Sequence, residues 1–121
     1  QMGIPKDFRL TNKKDFALVK NEGKRKVFSN FIFQIRLNIP KSEFFSNELD
    51  SKRIGIIAGK RFGNAVERNK GKRIVRQLFL KHKEMLPISC KVVIVLKKDF
   101  LKSNYTKIEK EFLAACNSYK K

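Results

Sequence analysis

The chain has 121 residues, 41% hydrophobic and 33% charged, with eleven Phe and no Trp. That is enough for one domain with its own core, and no apolar run reaches the ~18 residues that a membrane span needs. Lys and Arg number 29 against 11 acids, a formal net charge of +18, which calls for a polyanionic partner where a merely solubilising surface would mix its signs.

In chain order, Gln1 is set aside ahead of Met2, which reads as the natural initiator, so the domain is taken as residues 2–121. No signal-peptide pattern opens it. Thr11 is expected to cap a first helix of about ten residues through NKKDFALVKN, with Gly23 as its stop. NFIFQIRLNI alternates, with Phe31, Phe33, Ile35, Leu37 and Ile39 on one face and Asn30, Ile32, Gln34, Arg36 and Asn38 on the other. A period of two predicts a half-buried strand. PKSEFFSNELDS, residues 40–51, mixes turn formers with acids and reads as a surface loop.

RIGIIAG, residues 53–59, predicts a second strand, followed by a long helix from Asn64 to about Met85 with Pro87 as its breaker. CKVVIVL, residues 90–96, is a continuous apolar run and therefore a central strand covered on both faces. Tyr105, Ile108, Phe112, Cys116 and Tyr119 recur at helical spacing, which predicts a last helix from about Ser103. Cys90 and Cys116 lie in apolar patterns without metal-ligand spacing and read as buried, reduced thiols. The order is helix, two or three strands, long helix, strand, helix: a small α+β sandwich.

The informative stretch is KRFGNAVERNKGKRIVRQLF, residues 60–79, with seven basic residues and the single acid Glu67. On a helix, Gly71, Ile74, Val75, Leu78 and Met85 fall in one arc, which must face the sheet. Gly71 normally costs ~1 kcal/mol inside a helix, and close approach to a strand would offset that. Arg68, Lys72 and Arg76 form a stripe at spacing i, i+4, i+8, with Asn69 and Arg73 beside it. Like charges at this spacing repel; the stripe suits phosphates, with an Asn to add a hydrogen-bonding edge.

Arg68-Asn69-x-x-Lys72-Arg73-x-x-Arg76, preceded by Gly63-Asn64-Ala65-Val66, resembles the signature of the bacterial ribonuclease P protein component. Phe8-Arg9-Leu10, Asp15-Phe16 and Arg53-Ile54-Gly55 agree, as does the order of elements over almost the whole chain. The resemblance implies a two-layer α-β sandwich with a left-handed β-α-β crossover around the motif helix. It also implies a catalytic RNA as partner, which itself hydrolyses precursor tRNA at its 5′ end. The protein would then be an accessory subunit of a cytoplasmic ribonucleoprotein endonuclease, present as a monomer, with Mg²⁺ bound mainly by the RNA.

By position, Lys60, Arg61, Arg68, Asn69, Lys70, Lys72, Arg73 and Arg76 would contact the catalytic RNA. A second surface, a cleft between the first helix and the sheet, would hold the single-stranded 5′ leader through Phe16, Lys20, Ile32, Gln34 and Arg36. Lys20 and Gln34 stand where relatives often carry aromatics, so Phe16 is the one stacking ring at the matched positions.

Catalytic side chains are not in view. His82, the single histidine, lies near the apolar arc and reads as structural; Glu43, Glu48 and Asp50 lack metal-ligand spacing. No phosphate-binding glycine loop, Ser-His-Asp set or zinc pattern is present. The alternative is a structural, ribosomal-type RNA-binding protein, which needs no leader cleft. A double-stranded-RNA-binding domain would lack the strand after the basic helix, and a membrane-surface helix would not need its apolar arc for a sheet.

Overall fold

A computed structural model describes residues 9–10, 12–43 and 52–119. Phe8, Thr11, Glu48 and Asp50, named above, lie outside the described residues. Helix α1 spans Lys13–Glu22 and starts where the Asn12 side chain accepts a hydrogen bond from the Asp15 amide at 2.8 Å. The cap is therefore Asn12, one residue beyond the expected Thr11; Asn offers the same short acceptor in the same extended backbone. Gly23 closes the helix as expected, its N–H donating to the Val19 carbonyl at 3.0 Å.

Four strands form one sheet in the order β1-β2-β4-β3: β1 Lys24–Val27, β2 Phe31–Arg36, β3 Lys52–Ile57 and β4 Cys90–Leu96. β2 pairs antiparallel with β1 and β4, while β3 runs parallel to β4. Helix α2, Ala65–His82, makes the crossover between those parallel strands, and α3, Tyr105–Tyr119, ends the described chain.

Alternation along the strands sorts the sheet into two faces. Phe31, Phe33, Ile35, Ile54, Val92, Ile94 and Leu96 join Val75, Leu78 and Phe79 of α2 and Ile108, Phe112 and Cys116 of α3 in the main core. Val93 of β4 instead packs with Val19 of α1 and with Leu10, and Phe16 and Val95 border that smaller cluster. The main sandwich is thus the sheet with α2 and α3, and α1 lies on the opposite face.

The long helix starts at a capping box: Asn64 accepts from the Glu67 amide at 2.9 Å, and Glu67 accepts from the Asn64 amide at 3.0 Å. Its α-helical part ends at His82, before the expected Met85, and a 3-10 turn carries Lys83–Met85. Pro87 has no N–H to continue the helical bonding to the Lys83 carbonyl, and the buried Lys52 side chain takes that carbonyl up, donating to it at 2.6 Å as a cation at a helix C-terminus.

Tyr105 departs from its expected place in the apolar face of α3. It opens the helix and stays 41% exposed, because the cap is Asn104, which accepts from the Lys107 amide. β1 is the element with no signal in the sequence: Lys-Arg-Lys-Val is exposed at every position and shows no apolar alternation. It is the third of the two or three strands expected before the long helix.

Candidate nucleic-acid interface

The basic face of α2 follows from the burial of its other side. Gly71, Val75, Leu78 and Phe79 are buried, and a Cβ on Gly71 would stand 2.8 Å from Leu96 Cδ1 and 3.1 Å from the Phe62 ring. The close approach expected of this glycine is the one present. With that arc against the sheet, Arg68, Lys72 and Arg76 stand half-buried along one flank, and Asn69, Lys70 and Arg73 are exposed. Lys60 and Arg61 are exposed in the 3-10 turn Lys60–Phe62 that leads into the helix. Glu67 is committed to the cap, and among the described residues no acid pairs with the cations of this stripe. Neighbouring like charges without counter-charges cost stability in the bare protein, a cost that a phosphate backbone would remove.

The opposite face of the sheet carries the second expected group. Ile32, Gln34 and Arg36 of β2 pair with Val95, Val93 and Lys91 of β4, and Val93 pairs in turn with Gly55 of β3. Phe16 reaches this surface from α1. Its ring lies so close to Gly55 that a Cβ there would be 2.5 Å from it, so only glycine admits the ring at that spot. Ile32 is half-buried and Gln34 buried, while Lys20 is exposed on the last turn of α1. Exposed Val27 and Ile57 border this floor at the two edges of the sheet, and exposed Arg25 of β1 stands opposite Gln34 on the same face.

Arg36 is on the expected face with its guanidinium already engaged. Nη1 and Nη2 donate to the two carboxylate oxygens of Glu43 at 2.8 and 3.2 Å, and Nε lies 3.8 Å from Glu22. Glu43 comes from the segment expected to be an irregular loop; the 3-10 turn Lys41–Glu43 folds it back under the sheet. Sequence reasoning also missed Lys91, only 3% exposed, whose Nζ donates to Asp15 at 2.9 Å and to Glu43 at 3.2 Å. One clasp thus joins α1, β2, β4 and the turn, immediately beside Phe16. The available signal was the lone Lys inside CKVVIVL, since a charge in a doubly covered strand must find partners.

The Glu43 carboxyl is held below the ordinary carboxylate range, first by its hydrogen bond from Arg36 and further by Lys91, against the upward push of burial. Its folded form therefore binds protons less readily than the unfolded chain, and it contributes stability above the unfolded pKa that is lost as pH falls through the folded value. Glu43→Gln should be less stable than the parent at neutral pH, and the gap should close as pH falls below about 4. Urea denaturation from pH 7 to pH 3 checks this; a gap that persists unchanged to pH 3 would show that the carboxylate charge is not its source.

His82 is structural in kind, bonded to Glu109 of α3 at 2.6 Å, with Lys81 on the same carboxylate at 3.0 Å. Cys90 and Cys116 are buried free thiols, and burial pushes the Cys116 thiol up to about 12, away from reactivity. Among the described residues no group of three or more His, Cys, Asp or Glu could hold a metal ion, and no helix is long and apolar enough to cross a membrane.

A family model described as Ribonuclease P matches residues 4–120. A ribonuclease P protein component from Thermotoga maritima is 34% identical over 90 residues, covering 74% of this chain and 69% of that protein. One from Petrotoga mobilis is 30% identical over 109 residues, covering 87% of this chain and 85% of its own length. Among solved structures, the RNase P protein from Thermotoga maritima superposes with a TM-score of 0.74 at 27% identity, covering 93% of this chain and 98% of that one. The Staphylococcus aureus RNase P protein gives 0.76 at 24% identity over 96% of this chain and 100% of that one, a likeness of fold.

Proposed function

The chain belongs to the ribonuclease P protein family, and on that premise we propose that it binds the catalytic RNA with one face and the 5′ leader of precursor tRNA with the other. It is a subunit for tRNA processing; the hydrolysis itself falls to the RNA. The observation that carries this reading is the pairing of two dissimilar surfaces on one small sheet. One is the stripe of α2 cations, with which no described acid pairs; the other is the floor of Ile32 and Gln34 beneath α1, with the Phe16 ring at its side. A structural RNA-binding protein needs only the first.

The duties divide by chemistry. Arg68, Lys70, Lys72, Arg73 and Arg76, with Lys60 and Arg61 at the edge, meet RNA phosphates; Arg forks grip them in two-point fashion, and Asn69 adds a donor and an acceptor. Phe16 stacks a leader base, Lys20 meets a leader phosphate, and Ile32 and Gln34 form the surface against which the strand lies. Arg36, spent on Glu43, shapes the cleft by fixing the turn beneath it. Mg²⁺ would be held mainly by RNA phosphates, since Asp15, Glu22 and Glu43 already face Lys91 and Arg36. The protein would act as a monomer within the ribonucleoprotein, in the cytoplasm, where its two buried thiols stay reduced.

Reconstitution tests the reading. Added to a bacterial ribonuclease P RNA at low Mg²⁺, the protein should accelerate 5′ cleavage of precursor tRNA, and alone it should cleave none. No acceleration with a competent RNA would overturn the proposal, as would cleavage by RNA-free protein that follows it through several columns.

A further inference from the structure

Lys91 sits in the middle of the sheet, opposite Arg36 of β2 on one side and Arg53 of β3 on the other, with its side chain buried on the face that α1 covers. Its Nζ donates to Asp15 at 2.9 Å and to Glu43 at 3.2 Å. Neither RNA surface uses this ammonium. A buried charge is costly, and an apolar side chain of similar volume would serve stability as well or better. What a buried ion pair adds is direction. Charge-assisted hydrogen bonds fix where the joined elements stand, which apolar contact does not.

α1 needs such a fix. Its ten residues are too few for a helix to hold by itself, and Val19 is its one fully buried residue. Val19 packs with Val93 and anchors the C-terminal half. The N-terminal half carries Phe16, only partly buried at the border of the same cluster. Asp15, next to Phe16 in the chain, ties this half to β4. Two residues along β4 from Lys91 lies Val93, the partner of Gly55, over which the Phe16 ring is seated. The ion pair and the seat of the ring thus share one short stretch of helix and one of strand.

We propose that Lys91 is a positioning residue for the leader site: through Asp15 it fixes the N-terminal half of α1 so that the Phe16 ring stands over Gly55 ready to stack a base. The proposal rests on the function inferred above, and it assigns Lys91 no contact with RNA. The gain is preorganisation, since a ring already held in its bound position loses little freedom on binding. Glu43 grips the same ammonium and is itself held by Arg36, so the post to which Asp15 is tied does not swing.

The test uses the holoenzyme reconstituted with a bacterial ribonuclease P RNA and measures affinity for a long-leader precursor and for mature tRNA across a salt series. Lys91→Met removes the charge and keeps an unbranched side chain. Asp15→Ala removes the tether, leaves Lys91 with Glu43, and carries the test where Lys91→Met does not fold. Each should weaken precursor binding about fivefold or more, within the range that stacking one base supplies. Mature tRNA affinity should hold, and the log–log salt slope should stay parental, because no phosphate contact is lost. In a Phe16→Leu background the same substitutions should bring no further loss, the coupling expected of a residue that acts through the ring. Additive losses, equal losses for mature tRNA, or a flattened slope overturn the proposal. A parent with no preference for precursor overturns the function proposed above and this role with it. Failure of this role alone leaves that preference, and its loss in Phe16→Leu, in place while Lys91→Met and Asp15→Ala bind as the parent does.

Discussion

Gly71→Leu should lower the unfolding free energy by about 1–3 kcal/mol, the cost of forcing extra methylenes into a packed contact. The position is buried at the middle of α2, where a single Cβ would already stand 2.8 Å from Leu96 Cδ1 and 3.1 Å from the Phe62 ring. Gly71→Ala separates two effects at the same place. Alanine gains about 1 kcal/mol of helix propensity over glycine, and its one contact below 3 Å is with a terminal methyl that can turn aside. The alanine variant should therefore sit close to the parent while leucine falls well below it. Chemical denaturation of the three proteins decides the matter, and a leucine variant as stable as the parent would mean that this helix face is not against the sheet. Because the cationic stripe lies on the other flank, catalytic-RNA affinity of the folded alanine variant should be unchanged.

That glycine also shows which parts of the fold were legible. Hydrophobic period and punctuation are local, so the long helix, the Cys90–Leu96 strand and the arc through Gly71, Val75 and Leu78 could be read directly. β1 could not, because an exposed edge strand of Lys-Arg-Lys-Val owes its conformation to pairing with β2 and not to its own pattern. Likewise the end of α2 was placed late: Pro87 marked the break, but the last turn before it tightens to 3-10, with the Lys83 carbonyl taken by Leu86 and by Lys52, 31 positions away in the chain. A partner that distant leaves no mark in a window of neighbours.

The candidate site divides along the same line. The stripe of α2 was visible because all its members lie on one helix. Arg36 was visible as a face but not as an occupied group, since Glu43 reaches it only through a 3-10 turn that residues 40–51 do not advertise. Arg9 could not be placed from its neighbours: its position at one cavity with Lys72 and Arg76 follows from a bridge to Ile54 that joins segments far apart in sequence. Electrostatics then decides what each cation is free to do. Lys91 and Arg36 are neutralised by Asp15, Glu22 and Glu43 and serve the fold, whereas the stripe cations keep their charge for a partner.

Leader binding tests that division most sharply. With Lys20 and Gln34 at the positions where rings are frequent in relatives, Phe16 is the stacking anchor, worth about 1–3 kcal/mol for one base. Phe16→Leu retains an apolar side chain against Leu10 and Gly55 while removing the flat face, so the fold should survive and precursor affinity of the holoenzyme should fall by about 5- to 150-fold. Stacking involves no counterion release, so that loss should be the same at every salt concentration. Lys20 is exposed on the last turn of α1 and acts through charge alone. Lys20→Ala should therefore give a modest loss at low salt, flatten the log–log slope by about 0.7 and converge with the parent at high salt. Arg36→Ala should behave differently from both. Its partner Glu43 would lose a bidentate cation, so its first effect is on stability and the salt slope for precursor should stay parental. Precursor affinities of parent, Phe16→Leu, Lys20→Ala and Arg36→Ala across a salt series separate the three roles. A parental slope in Lys20→Ala would remove that lysine from the leader path, and a flattened slope in Arg36→Ala would mean that RNA draws this guanidinium away from Glu43.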